Sequence, residues 1–169
     1  MVIPIVIVVA SLFLDGLLTN YLPYSVGHLS IFTPLTTLVS IILIYSFFRH
    51  KDKEYFILVF VTGIVYDLLY TNLLFLDGFL FLLIAFLFTK LYKNVGFNIF
   101  WIVLDIMLAI IVYESLFALL IVMFNLVPMS FDRLFYKISH SLLLNIIYGE
   151  ILYLIIKIIP KKYKQVMIN

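Results

Sequence analysis

Asp67 is the side chain whose chemistry most demands a reason. It stands in Gly63-Ile64-Val65-Tyr66-Asp67-Leu68-Leu69-Tyr70-Thr71, a stretch otherwise apolar enough to cross a bilayer. Ten Leu, Ile, Phe and Val residues between Tyr55 and Tyr70 contribute roughly −3 to −6 kcal/mol on a membrane-insertion scale. An Asp near the centre of such a helix gives back about +2.5 to +3.5 kcal/mol. A carboxylate held there could bind a ligand, an ion or a proton. Its neighbours offer plainer uses. Gly63, Asp67 and Thr71 recur at i, i+4 and i+8, with Tyr66 and Tyr70 on the adjoining stripe, so one side of a helix carries all five. Such a face suits a helix-packing seam, in which Gly63 allows close approach and Tyr or Asn neighbours bond Asp67. It also suits contact with a partner membrane protein.

The other polar side chains do not assemble a reaction centre by spacing. Asp105 and Glu114 are nine residues apart, about 900° of helical turn, so they face opposite ways and form no dyad. Asp105 is expected to be solvated near an interface, whereas Glu114 lies deeper and needs an internal partner. The segment 134–159 is the most polar, with Ser139, His140, Ser141, Asn145, Tyr148, Gly149, Glu150, Tyr153 and Lys157. Asn145, Gly149 and Tyr153 make one stripe; Glu150, Tyr153 and Lys157 make another. Glu114, Asn145 and Glu150 are therefore expected to be buried polar groups that hold helices together. His28, His50 and His140 lack metal-ligand spacing. No G-x-S-x-G, H-E-x-x-H or P-loop occurs. Ser139-His140-Ser141 are neighbours along one helix, and that adjacency does not join a nucleophile to its base. The sequence therefore reads as non-enzymatic, without a cofactor or metal.

The elements that position these groups follow from composition. Of 169 residues, 66% are hydrophobic and 12% charged, with mean hydropathy +1.24, against about 45–50% and about 25% in soluble domains. This is the composition of an integral membrane protein made of one domain. The net charge of +2 gives no case for nucleic-acid binding, and the absence of Cys excludes disulfides and thiolate chemistry. A bilayer core takes roughly 20 apolar residues to cross. On that ruler six spans are expected, at 2–20, 31–48, 54–72, 76–93, 97–124 and 134–159. The first starts at Met1 with neither a basic leader nor an A-x-A-like cleavage signal, and is expected to be a retained helix. Nine of the eleven Lys and Arg residues fall on one side of this weave, with Arg133 and Lys137 on the other. The positive-inside rule puts both termini in the cytoplasm. Phe-Leu-Asp-Gly occurs at 13–16 and again at 75–78, with unmatched flanks, as chance repeats do in so Leu- and Phe-rich a chain.

The six-span pattern and G-x-x-Y-D-x-x-Y-T, followed by a Gly-bearing turn and an aromatic helix, resemble the MreD family of rod shape-determining membrane proteins, in its Gram-positive form. The residues that carry the likeness are Gly63, Tyr66, Asp67, Tyr70, Thr71, Gly78 and Phe79, supported by Phe32-Thr33-Pro34, Arg49 and Tyr92. Leu76-Asp77-Gly78 departs from the family's more usual Leu-Gly after Pro or Leu. The resemblance implies an all-α bundle of six transmembrane helices, like the substrate-binding subunits of ECF transporters. It also implies a place in the cell membrane and a role in cell-wall elongation and peptidoglycan synthesis. Partners would be an MreC-like scaffold, other membrane proteins of the elongation complex and the lipid bilayer. The fold analogy raises one alternative, an ECF-type subunit that binds a vitamin or other small molecule. Against it, Ile7 to Asp15 lacks the A-x-x-x-A docking face, and the connector Tyr21 to Ser30 is short.

Overall fold

The computed structural model describes residues 2–21, 33–48, 51–71, 75–95, 98–124 and 130–159. Met1, residues 22–32 (with Phe32), Arg49 and His50, residues 72–74, Gly96 and Phe97, Asn125 to Met129 and the basic tail from Pro160 lie outside them. The protein is an all-α membrane protein, with six helices among the described residues. They are α1 (Val2–Tyr21), α2 (Thr36–Ile44, prolonged by a tight turn over Tyr45–Phe47), α3 (Asp52–Tyr66, prolonged by a wide π turn over Asp67–Thr71), α4 (Leu76–Val95), α5 (Ile99–Met123) and α6 (Phe131–Ile158). The helical runs Val2–Tyr21, Asp52–Thr71, Ile99–Met123 and Phe131–Ile158 are long and apolar enough to cross a membrane.

The bundle is built around its shortest helix. Every residue from Pro34 to Phe48 is buried, because α1, α4, α5 and α6 all pack on α2. A helix that is apolar all round belongs in an interior. The sequence of α2, with Thr36, Thr37 and Ser40 among Leu, Val and Ile, has no charge to keep it out of one. At about 1.5 Å per residue the Thr36–Phe47 rod is about 18 Å long. It is shorter than the 31–48 span the sequence suggests, since Thr33, Pro34 and Leu35 precede the first helical turn. The longer helices each bury one stripe and turn an apolar one outward, such as Val6, Val9, Phe13 and Leu17 on α1 and Ile57, Val61 and Leu68 on α3.

Helices α3 and α4 make the closest crossing. Gly63 meets Gly78 backbone to backbone: a Cβ on Gly63 would overlap the Gly78 Cα and come within 2.8 Å of the Asp77 carbonyl oxygen. Aromatic rings carry packing through the core, from Tyr70 to Tyr66 to Phe81 to Tyr113 to Phe117, with neighbouring centroids 4.8–5.9 Å apart.

Candidate functional site

The buried polar groups cluster at helix starts. Helix α4 is preceded by Phe75 at its N-cap position, whose carbonyl accepts the Phe79 N–H at 3.0 Å and whose side chain can cap nothing. Phe75 is also the one non-glycine residue with left-handed backbone among those described, at φ 71°. The missing cap comes from another helix. The Asp67 carboxylate, fully buried, accepts the Asp77 N–H at 3.0 Å and the Gly78 N–H at 3.2 Å. These are the second and third amides of α4, the ones an N-cap side chain ordinarily serves. Thr71 donates its hydroxyl to the same carboxylate at 2.9 Å, across the π turn. The α4 dipole adds to the attraction for a negative group.

Helix α2 is capped the same way. Its N-cap is Leu35, again without a capping side chain. Asp15 of α1 accepts the Thr36 N–H at 2.7 Å, the Thr36 hydroxyl at 2.7 Å and the Thr37 N–H at 2.9 Å. Asn145 of α6 accepts the Leu35 N–H at 2.8 Å and donates to the Thr33 and Ser141 carbonyls. Deeper along α2, the hydroxyls of Ser11, Ser40 and Tyr148 bond one another at 2.5–2.9 Å and tie α1, α2 and α6 together. Tyr70 donates to the Leu12 carbonyl at 2.6 Å, joining α3 to α1.

Two carboxylates remain less fully bonded. Asp77, an electrostatic neighbour of Asp67, accepts the Tyr113 hydroxyl at 2.7 Å through Oδ1, and its Oδ2 has no hydrogen-bond partner among the described residues. Glu114 is wholly buried and ion-paired, with Lys137 Nζ 2.8 Å from Oε2, and neither carboxylate oxygen has a hydrogen-bond partner among the described residues. Lys137 also lies over the Phe117 ring, 5.1 Å from its centroid. No set of three or more His, Asp and Glu among the described residues is placed to hold a metal ion.

Several sequence expectations change here. Gly63, Asp67 and Gly78 line the α3–α4 crossing, with Thr71 at its end. Tyr66 and Tyr70 extend that seam towards α4 and α1. Asp67 is held by backbone amides and a threonine rather than by Tyr or Asn side chains. Glu114 and Asn145 have zero exposure, whereas Glu150 sits on the outside of α6 and is not buried. The i, i+7 spacing to Lys157 reads equally well for an outer stripe, which is why polarity alone placed Glu150 inside. Asp105 is buried instead of solvated. His140 is half-buried, with Nδ1 at 2.9 Å from the Tyr136 carbonyl. Sequence reasoning missed Asp15, Asp77, Tyr113 and Lys137. The available signal was a carboxylate near the end of one helix combined with a following helix whose own start, Leu35 or Phe75, offers no cap.

A family model described as rod shape-determining protein MreD matches residues 2–163. No curated protein and no solved structure matches the chain, so the vitamin-binding alternative and the likeness to ECF subunits gain no support there.

Proposed function

The chain belongs to the MreD family of rod shape-determining proteins, and on that premise we propose that it is a non-catalytic membrane component of the cell-wall elongation complex. Its work is binding. It docks an MreC-like scaffold and, with other membrane proteins of the complex, helps organise peptidoglycan synthesis. It lies in the cell membrane with both termini in the cytoplasm.

The observation that carries this reading is where the buried polar chemistry goes. Asp15, Asp67 and Asn145 all spend their acceptors on the backbone starts of α2 and α4. Groups used this way fix helices against one another, as a rigid docking platform requires. Gly63, Tyr66, Asp67, Tyr70, Thr71 and Gly78 serve that rigidity as the packing seam. Partner contact is left to outward faces.

The test is co-purification in mild detergent. A tagged copy of this chain is expected to retain the MreC-like scaffold, and cells depleted of the chain are expected to lose rod shape. A scaffold that never co-purifies, from cells whose shape still depends on the chain, removes the docking step. Gly63→Leu is a poor probe of docking, because its side chain would strike the backbone of α4 and unfold the seam.

A further inference from the structure

Helix α6 has an inner and an outer face. Ser141, Asn145, Gly149, Leu152, Tyr153 and Ile156 are buried. On the other side Tyr136, His140, Leu143, Ile147, Glu150 and Leu154 follow one another at steps of four and three. Leu143, Ile147 and Leu154 are 65%, 51% and 53% exposed, and Glu150 is exposed among them. Alternating steps of four and three are the seam along which a second helix packs at a shallow crossing angle.

Glu150 is the anomaly in that seam. Along the axis it is about 10 Å from Lys157 and about 20 Å from Lys137, at about 1.5 Å per residue. The two cations are 20 residues, about 30 Å, apart, which matches the thickness of a hydrocarbon core and puts the Glu150 carboxylate at the depth of the apolar layer. Glu150 makes no hydrogen bond or ion pair among the described residues. Acyl chains offer it no donor, and an intramembrane carboxylate without one is costly. A second copy of the chain on this stripe would make matters worse, since a two-fold contact brings each residue towards its own counterpart and sets carboxylate against carboxylate.

We infer that the outer stripe of α6 is an intramembrane docking surface for a single transmembrane helix that carries a Lys, Arg or amide side chain at the depth of Glu150. The apolar positions supply packing, and the polar position sets register, as a lone polar pair does in a coiled-coil seam. The inference rests on the docking reading above and assigns it a surface.

The chain has no Cys, so single-cysteine variants can be spin-labelled cleanly. Labels at Ile147→Cys and Leu154→Cys report the stripe, and Val61→Cys on the exposed side of α3 is the control. In nanodiscs, adding the MreC-like scaffold is expected to cut oxygen accessibility at 147 and 154 at least threefold and to leave 61 unchanged. Glu150→Leu is expected to weaken scaffold binding at least tenfold at an unchanged melting temperature, since the side chain makes no internal bond. Glu150→Gln should retain most of the binding. Scaffold that still binds Glu150→Leu, with accessibility at 147 and 154 unaltered, overturns the surface and leaves docking intact. Wild-type protein that fails to bind scaffold overturns docking itself. Accessibility at 147 and 154 that falls with protein density alone, without scaffold, assigns the stripe to contacts between copies and overturns the inference.

Discussion

At the scale of single residues, the sequence showed that Asp67 is expensive but not what offsets the expense. Its cost follows from hydropathy, which is local. Its use depends on Phe75, which precedes α4 without a capping side chain, and on the packing of α4 against α3. Removing the carboxylate leaves two buried amides unpaired, each worth about 1–3 kcal/mol. Asp67→Ala should therefore lower stability by about 2–4 kcal/mol, and Asp67→Asn, which keeps one acceptor, by about 1–2 kcal/mol. Thermal unfolding in detergent checks both. Phe75 gives the opposite sign. A bulky residue at φ 71° stores about 1–3 kcal/mol of strain, so Phe75→Gly should hold or raise the melting temperature, while Phe75→Val should lower it.

At the scale of elements, the Gly63/Asp67/Thr71 periodicity runs along the side of α3 that meets α4, because 3.6-residue spacing survives any tertiary detail. What spacing could not reveal was the asymmetry of the crossing. A Cβ on Gly63 meets backbone, which cannot yield, whereas a Cβ on Gly78 would sit 3.4 Å from the flexible Ile64 side chain. Gly63→Ala should cost about 1–3 kcal/mol and Gly78→Ala less than about 1 kcal/mol, read from paired melting curves. Between α5 and α6, Lys137→Met would strand a fully buried Glu114 and should cost about 3–5 kcal/mol. Adding Glu114→Gln should restore much of that loss, which a double-mutant cycle would measure. Lys137 was legible only as a loop charge, since its partner lies 23 positions away on another helix. The two copies of Phe-Leu-Asp-Gly do different jobs, as a chance repeat would. Asp15 of the first copy does the work of Asp67, and Asp77 of the second copy supplies one of the amides that Asp67 receives.

At the scale of the whole molecule, 66% hydrophobic residues marked an integral membrane protein, and the lengths of the apolar runs between charged breaks marked its spans as helices. It did not rank the helices. The innermost, α2, has much the same apolar content as its neighbours, and only the lack of charge and the small polar residues hint that lipid never touches it. Polarity likewise could not say which stripe of α6 faces in, so Glu150 reads as interior until the helix is seen in place. The proposed topology makes its own prediction. Fluorescent-protein fusions at either end should fluoresce in the cytoplasm, whereas alkaline phosphatase should be active only in fusions made after α1, α3 or α5. Active phosphatase at the C-terminus would reverse the orientation.

Asn145, finally, sets a timetable for synthesis. The Leu35 amide of α2 is bonded by a residue that leaves the ribosome 110 positions later. Until α6 enters the membrane, the central helix has Asp15 on its first turn and nothing for its foremost amide. A nascent chain arrested before Asn145 thus carries an unfinished centre inside an otherwise assembled set of helices. The last helix is the closing wedge of biogenesis, and truncation ahead of it should yield a protein that inserts normally and is then cleared by membrane proteases.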